Sequence, residues 1–246
     1  MTARDLRNYL DDYYELPFER VAERYRRRHV VACLEQFKFH SLIEIGSGTE
    51  SIFGSLHDVV QGTIIEPIRE LINEQRKNLD GKNIKFINKQ LEEVMPSEVE
   101  KAEAVLLSSI LHEVTDAAGF LGLARELLSK DGVIVVVVPN SWSIHRFVGI
   151  KKGIISELDD QSETQVRMQQ YQKVFNPDNL KELVEKAGFE VLSSETFFPK
   201  ILSHAQMASR YEQGQIGDDF LEQIDQLSEI LNPVGSEILL TAKVVK

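Results

Sequence analysis

The sequence predicts an α/β fold: a seven-stranded, mostly parallel sheet with helices on both faces and a helical cap at the N-terminus. Three observations predict it. From residue 41 onward, short β-branched runs alternate with stretches of helical periodicity, which is the pattern of βα units. The fifth run, Val133 to Val138, is apolar at every position, as a central strand covered on both faces must be. The first run ends in two closely spaced glycines, the turn a ligand-binding α/β sheet places after its first strand.

In chain order, residues 1–40 are rich in Tyr, Arg and Glu. Their apolar positions Leu16, Val21, Val30, Val31 and Leu34 suit amphipathic helices, so this segment reads as a cap or lid. Strands are expected at Leu42–Ile45, Gly62–Glu66, Ile84–Ile87, Ala104–Leu107 and Val133–Val138, with helices between them at about 67–79, 92–100 and 117–129. After Pro139 the chain reads as irregular over about 140–175. A helix follows at 177–187, with Asn176 as cap, Pro177 in the first turn and Gly188 as stop. Phe189–Leu192 is a sixth strand. Residues 203–231 look helical, split by Gly214 and Gly217, and Glu237–Val245 is a final strand. No unbroken helix before that strand is long enough for a plain crossover, so it is expected to run antiparallel. Residues 41–246 then form one domain, with insertions at about 140–175 and 199–233.

The chain has 246 residues, 42% hydrophobic and 27% charged, the composition of an ordinary folded domain. Its 28 basic and 39 acidic side chains give a formal net charge of −11, which argues against binding nucleic acid through phosphate neutralisation. A single cysteine, Cys33, excludes an internal disulfide framework and an all-cysteine zinc site. The N-terminus carries no secretory pattern, and the longest apolar run is six residues against the ~20 needed to cross a bilayer. A cytoplasmic protein without a membrane partner is expected.

The strongest local signal is Leu42-Ile43-Glu44-Ile45-Gly46-Ser47-Gly48-Thr49-Glu50. Glycines at such a turn let backbone approach a ligand, and Glu66, ending the second strand twenty residues after Gly46, can accept both hydroxyls of a ribose. A nucleoside is therefore expected. A dinucleotide site wants a third glycine where Ser51 stands, and Glu50 beside a pyrophosphate would be a like-charge clash. Glu44 suits a cationic ligand better.

These residues resemble the first two motifs of class I S-adenosylmethionine-dependent methyltransferases. The later segments Phe86–Leu91, Leu106–Val114 and Leu127–Gly132 are similar to that family's motifs in the same order. The resemblance implies the Rossmann-like class I methyltransferase fold with S-adenosylmethionine as cofactor. It assigns Glu44, Gly46, Ser47, Gly48, Glu66, Pro67, Gln90, Leu91 and Ser108 to the cofactor, with Gln90 at the usual Asp position against the adenine. The basic and aromatic N-terminal segment would close the pocket, with Arg26 on the methionine carboxylate and Tyr14 (or Tyr13 or Tyr25) as cover. The two insertions would cover the acceptor, with Tyr171 and Lys173 near it.

For the acceptor side, His112 past the fourth strand and His145 past the fifth both reach the carboxyl edge of the sheet, where an imidazole can take a proton from a hydroxyl. His112 serves equally well as a loop or capping histidine. Arg146 can pair with an anionic acceptor, Lys200 is a second candidate, and His204 also reaches this edge. His29, His40 and His57 are expected away from the edge. No Asn/Asp-Pro-Pro-Tyr motif ends the fourth strand, which points away from base or amide nitrogens, and methyl transfer needs no metal in principle. Pro139–Arg146 and Lys200–Met207 resemble, more loosely, small-molecule methyltransferases of bacterial surface-polysaccharide (capsule and O-antigen) pathways. The reading is thus an O-methyltransferase acting on a small polar, anionic acceptor such as a sugar, a nucleotide-linked sugar or a phosphate-type group. Its rivals are an NAD(P)-dependent oxidoreductase and a catalytically idle subunit of the same fold. The sequence leaves the oligomeric state open.

Overall fold

The computed structural model describes residues 17–57, 59, 61–162, 165–166, 170, 172 and 174–245. Tyr13, Tyr14, Leu16, Tyr171 and Lys173 lie outside the described residues. The strands are β1 (Ser41–Ile45), β2 (Gln61–Ile65), β3 (Ile84–Ile87), β4 (Ala102–Ser108), β5 (Leu128–Pro139), β6 (Phe189–Phe197) and β7 (Glu237–Val244). They form one sheet in the order β3-β2-β1-β4-β5-β7-β6. All neighbouring pairs are parallel except the two made by β7, which runs antiparallel to both β5 and β6. The expected seven strands and reversed last strand are what the fold shows.

The helices are α1 (Pro17–Gln36), α2 (Arg69–Asn78), α3 (Ala117–Glu126), α4 (Ile144–Lys151), α5 (Pro177–Lys186), α6 (His204–Glu212) and α7 (Asp218–Gln226). Two apolar cores sandwich the sheet. Ile134, Val136 and Val138 pack with Phe120, Leu121, Leu180 and Val184 of α3 and α5. Val135 and Val137 point the other way, with Phe18, Tyr25, Val30 and Leu34 of α1 and Met207 and Leu221 of α6 and α7. Successive side chains of a strand alternate faces, so a strand covered twice must be apolar throughout.

The structure corrects three expectations. Residues 92–100 form two single 3₁₀ turns, Leu91–Glu93 and Pro96–Glu98, because Pro96 supplies no N–H and holds Met95 extended. The stretch after Pro139 is not wholly irregular; it contains α4, which closes at Gly153 in the left-handed region (φ +68°). β5 starts five residues early, at Leu128, which pairs with Ala102; two steps along β4 then face five along β5, which bulges at Asp131 (φ +63°). Gly214 and Gly217 do separate α6 from α7.

The β5–β7–β6 register places Pro139, Glu237 and Phe197 side by side at the carboxyl edge of the parallel strands. The loops after β5 and β6 and the first residue of β7 therefore face the same space as the loops after β1, β2 and β4.

Candidate active site

A cleft of about 680 Å³ runs along this edge. One half lies over β1, β2 and β4, and the other lies between α1, α4, α6 and the starts of the β5 and β6 loops.

In the first half, Gly46 (φ +75°) and Gly48 (φ +57°) turn the chain in the left-handed region, which L side chains reach only at a cost. Glu44 is buried behind them. One of its oxygens takes the Ile52 N–H at 3.0 Å and the other takes the Ser51 hydroxyl. Burial pushes this carboxyl up to about 8, against the pull of those two donors. Glu44 thus fixes the loop from below while it also lines the cleft. Ser51 stands where a third glycine would be, and its side chain has this local partner.

Glu66 ends β2 as expected. Its carboxylate accepts the Ile68 N–H at 3.0 Å and is approached by the N–H groups of Gly48 and Ser47. Burial pushes it up to about 7, against these donors, with Glu113 adding a like charge. Pro67, Ile68, Leu71 and Ile110 supply apolar wall around it, and Ser108 and His112 complete this half. The Ser47 hydroxyl is buried on the wall with no hydrogen-bond partner among the described residues. Gln90 and Leu91 depart from expectation. Neither lines the cleft: Leu91 is packed in the core, and Gln90 caps the 3₁₀ turn that follows it, its N–H on Glu93 at 3.2 Å.

The second half holds a polar cluster. Arg26 does not wait for a ligand carboxylate: it grips Glu237 through Nε at 2.6 Å and Nη2 at 2.9 Å, and reaches Glu19 at 3.0 Å. Although burial opposes it, Glu19 is held down to about 2 by Arg26, His204 and Lys200. His204 Nε2 lies 3.5 Å from Glu19, and its Nδ1 lies 3.3 Å from Lys200 Nζ. Burial, with Lys200 adding to it, brings His204 down to about 4. His145 is held well below the usual imidazole range for the same reasons, burial first and then Lys200, Arg146 and His204, and its Nδ1 is buried without a hydrogen-bond partner among the described residues.

Arg146 is a second correction. Its guanidinium donates to the main-chain carbonyls of Leu158 (2.6 Å) and Asp160, so it clamps the segment after α4 instead of facing an acceptor. The two looser motifs also resolve into local structure. The Asn140 amide nitrogen donates to Pro233 and Gly235 carbonyls at 2.9 and 2.8 Å, and its oxygen accepts the Trp142 N–H. Ser203 and Gln206 form a capping box at the start of α6. His29 stacks on Phe197 and bonds Asp225, away from the cleft.

Glu19, Glu237 and Glu113 are cleft residues that sequence reasoning did not single out. A signal existed for two. Glu19 and Arg26, seven apart, share one face of α1, and Glu237 opens a strand whose next three residues are apolar.

Comparison with known proteins finds a family model described as "Methyltransferase domain" matching residues 18–194. A search of curated protein sequences finds no match. Solved structures with the same fold include the plantazolicin methyltransferase BamL in complex with a triazolic desmethylPZN analog and SAH (TM-score 0.64, 16% identity, 96% of this chain and 90% of that one). Another is a putative methyltransferase in complex with the Trm112 activator of Haloferax volcanii (0.62, 14%, 99% and 99%). A third is the N-methyltransferase NodS from Bradyrhizobium japonicum WM9 with S-adenosyl-L-homocysteine (0.58, 11%, 97% and 99%).

Proposed function

The chain belongs to the methyltransferase domain family, and from that premise we propose that it moves a methyl group from S-adenosylmethionine to an oxygen of a small, polar, anionic acceptor. The observation that carries this reading is the division of one cleft into two chemically distinct halves. The first has a left-handed glycine turn, a buried carboxyl that can meet ribose hydroxyls, apolar walls and an unpartnered Ser47 hydroxyl. Those features suit a cationic nucleoside, and the acids Glu23, Glu50 and Glu113 on the same wall disfavour a diphosphate, hence the dinucleotide alternative. S-Adenosylmethionine supplies an electrophilic methyl on a sulfonium centre. Gly46, Ser47, Gly48, Glu66, Pro67 and Ser108 are the residues that would hold it.

In the second half, His145 lines the cleft as a neutral imidazole and is the candidate base for a hydroxyl nucleophile. His112 stands between the halves and orients the acceptor against the first. Alignment and exclusion of water supply the remainder of the barrier reduction. A setting in surface-polysaccharide synthesis keeps only the motif resemblance as support, since Asn140, Ser203 and Gln206 are occupied in local bonds.

Calorimetry with S-adenosylhomocysteine tests the cofactor half, and a one-to-one binding heat is the expected result. Incubation with S-adenosylmethionine and a panel of hydroxylated and aminated acceptors, read by release of S-adenosylhomocysteine and by the product's methyl carbon shift, tests the rest. An N-methyl product would replace the oxygen assignment. Cofactor binding without turnover across the panel would favour the idle-subunit reading.

A further inference from the structure

Five permanently basic side chains line the cleft: Arg26, Arg27, Arg146, Lys152 and Lys200. Four of them are accounted for. Arg26 is spent on Glu237 and Glu19, and Arg27 on Glu23 and Glu50. Arg146 is spent on two carbonyls, and Lys152 is exposed to solvent at the rim. Lys200 differs from all of these. It is 6% exposed, and among the described residues no carboxylate oxygen lies within 4.0 Å of its Nζ. Its polar side-chain contact is the His204 ring at 3.3 Å, and the Phe18 ring centroid lies 5.9 Å away. Glu19 and Glu237 lie near enough to be felt, but their oxygens are turned to Arg26 and His204.

An ammonium taken out of water without a counter-ion is strongly unfavourable. Here it is held on the wall of a cleft, beside the neutral His204 ring. We propose that Lys200 is the binding site for an anionic group, a carboxylate or a phosphate, on the methyl acceptor, and that His204 and Glu19 are positioning residues that aim it. The ammonium donates to His204 Nδ1, which leaves the other ring nitrogen protonated and facing Glu19. The ring is thereby fixed, and so is the lysine. The placement favours the acceptor over the cofactor as the source of the anion. Lys200 follows β6, and four strand spacings, roughly 19 Å across the sheet, separate β6 from the glycine turn after β1. This assignment rests on the methyltransferase reading and names the acceptor class for the same cleft.

The test compares wild type with Lys200→Met and Lys200→Arg, each saturated with S-adenosylhomocysteine and titrated with inorganic phosphate and, separately, with acetate. Wild type is expected to bind one or both, and the stronger of the two names the group. Lys200→Met is expected to lose about tenfold or more in that affinity, the loss of one charged contact, and Lys200→Arg to keep most of it. Lys200→Met should fold with a Tm equal to or above wild type, because it removes an unpaired buried charge. Equal anion responses in wild type and Lys200→Met, or no response in wild type, would overturn the assignment. A third result would also overturn it: Lys200→Met weakening S-adenosylhomocysteine but not 5′-methylthioadenosine, which lacks the amino-acid tail, would give the anion to the cofactor. Absence of S-adenosylhomocysteine binding in wild type fails the methyltransferase reading on its own, and phosphate titration of the unliganded protein then decides Lys200.

Discussion

Arg26 lays two nitrogens on the Glu237 carboxylate, at 2.6 and 2.9 Å, and so ties the middle of α1 to the first residue of β7. Both side chains are nearly out of solvent, at 12% and 10% exposure. Glu237→Gln removes the carboxylate that meets two nitrogens of this guanidinium. The expected loss is about 3 kcal/mol of stability, the scale for removing one member of a buried pair. Urea unfolding checks it, and an unchanged midpoint would show that the pair contributes nothing net.

Glu19 makes the acid limb of the stability curve steep. Its carboxyl is held at about 2 in the fold against the ordinary 4.5, so its contribution is fully present above pH 4.5 and is lost as pH falls towards 2. The integrated effect is about 3 kcal/mol. Glu19→Gln should flatten the stability profile across that window, as measured by thermal unfolding at stepped pH.

Glu66 has the opposite sign. Its carboxyl is raised to about 7, so in the unliganded protein its contribution to stability is complete below 4.5 and is lost as pH rises through 7. Ribose hydroxyls donate best to the ionised form. Affinity for S-adenosylhomocysteine should therefore climb by up to about tenfold per pH unit below 7 and level off above it. Calorimetry from pH 5.5 to 8.5 reads this directly. A profile identical in wild type and Glu66→Gln would remove Glu66 from the cofactor site.

Gly48 has open space where a Cβ would go but sits at φ +57°. Gly48→Ala should cost about 1 kcal/mol through backbone strain alone and weaken S-adenosylhomocysteine, while the fold survives. Gly48→Asn, which tolerates this region better, should recover part of the stability.

His145→Ala should lower kcat by about a hundredfold on a hydroxyl acceptor, with S-adenosylhomocysteine affinity unchanged. Because burial and the neighbouring cations keep the ring neutral, wild-type kcat should not fall between pH 7.5 and 6 through this residue. A fall with a midpoint near 6.5 that disappears in His145→Ala would contradict a buried neutral base.

Much of the sheet was legible because burial leaves a periodic trace. Val133–Val138 reads as doubly covered from composition alone, and Gly46, Gly48 and Glu66 declare themselves by spacing at strand ends. The lower-lying errors are of one kind. Arg26, Arg146 and Gln90 each have the right chemistry for a ligand, but a neighbour distant in sequence, or a local turn, claims the polar atoms first. Charge type is written in the sequence, whereas the partner that spends it is set by packing. Lys200 is the converse case. Its distinction is the carboxylate it lacks, which becomes visible only once Glu19 and Glu237 are seen turned elsewhere.

β6 is an edge strand that meets the rest of the sheet through β7. Among the described residues, β6 pairs in the sheet with β7 alone, so the wall that carries Lys200 is joined to the nucleoside-facing floor through residues 237–244. Hydrogen exchange should accordingly show the amides of β6 opening at a lower free energy than those of β1 and β4.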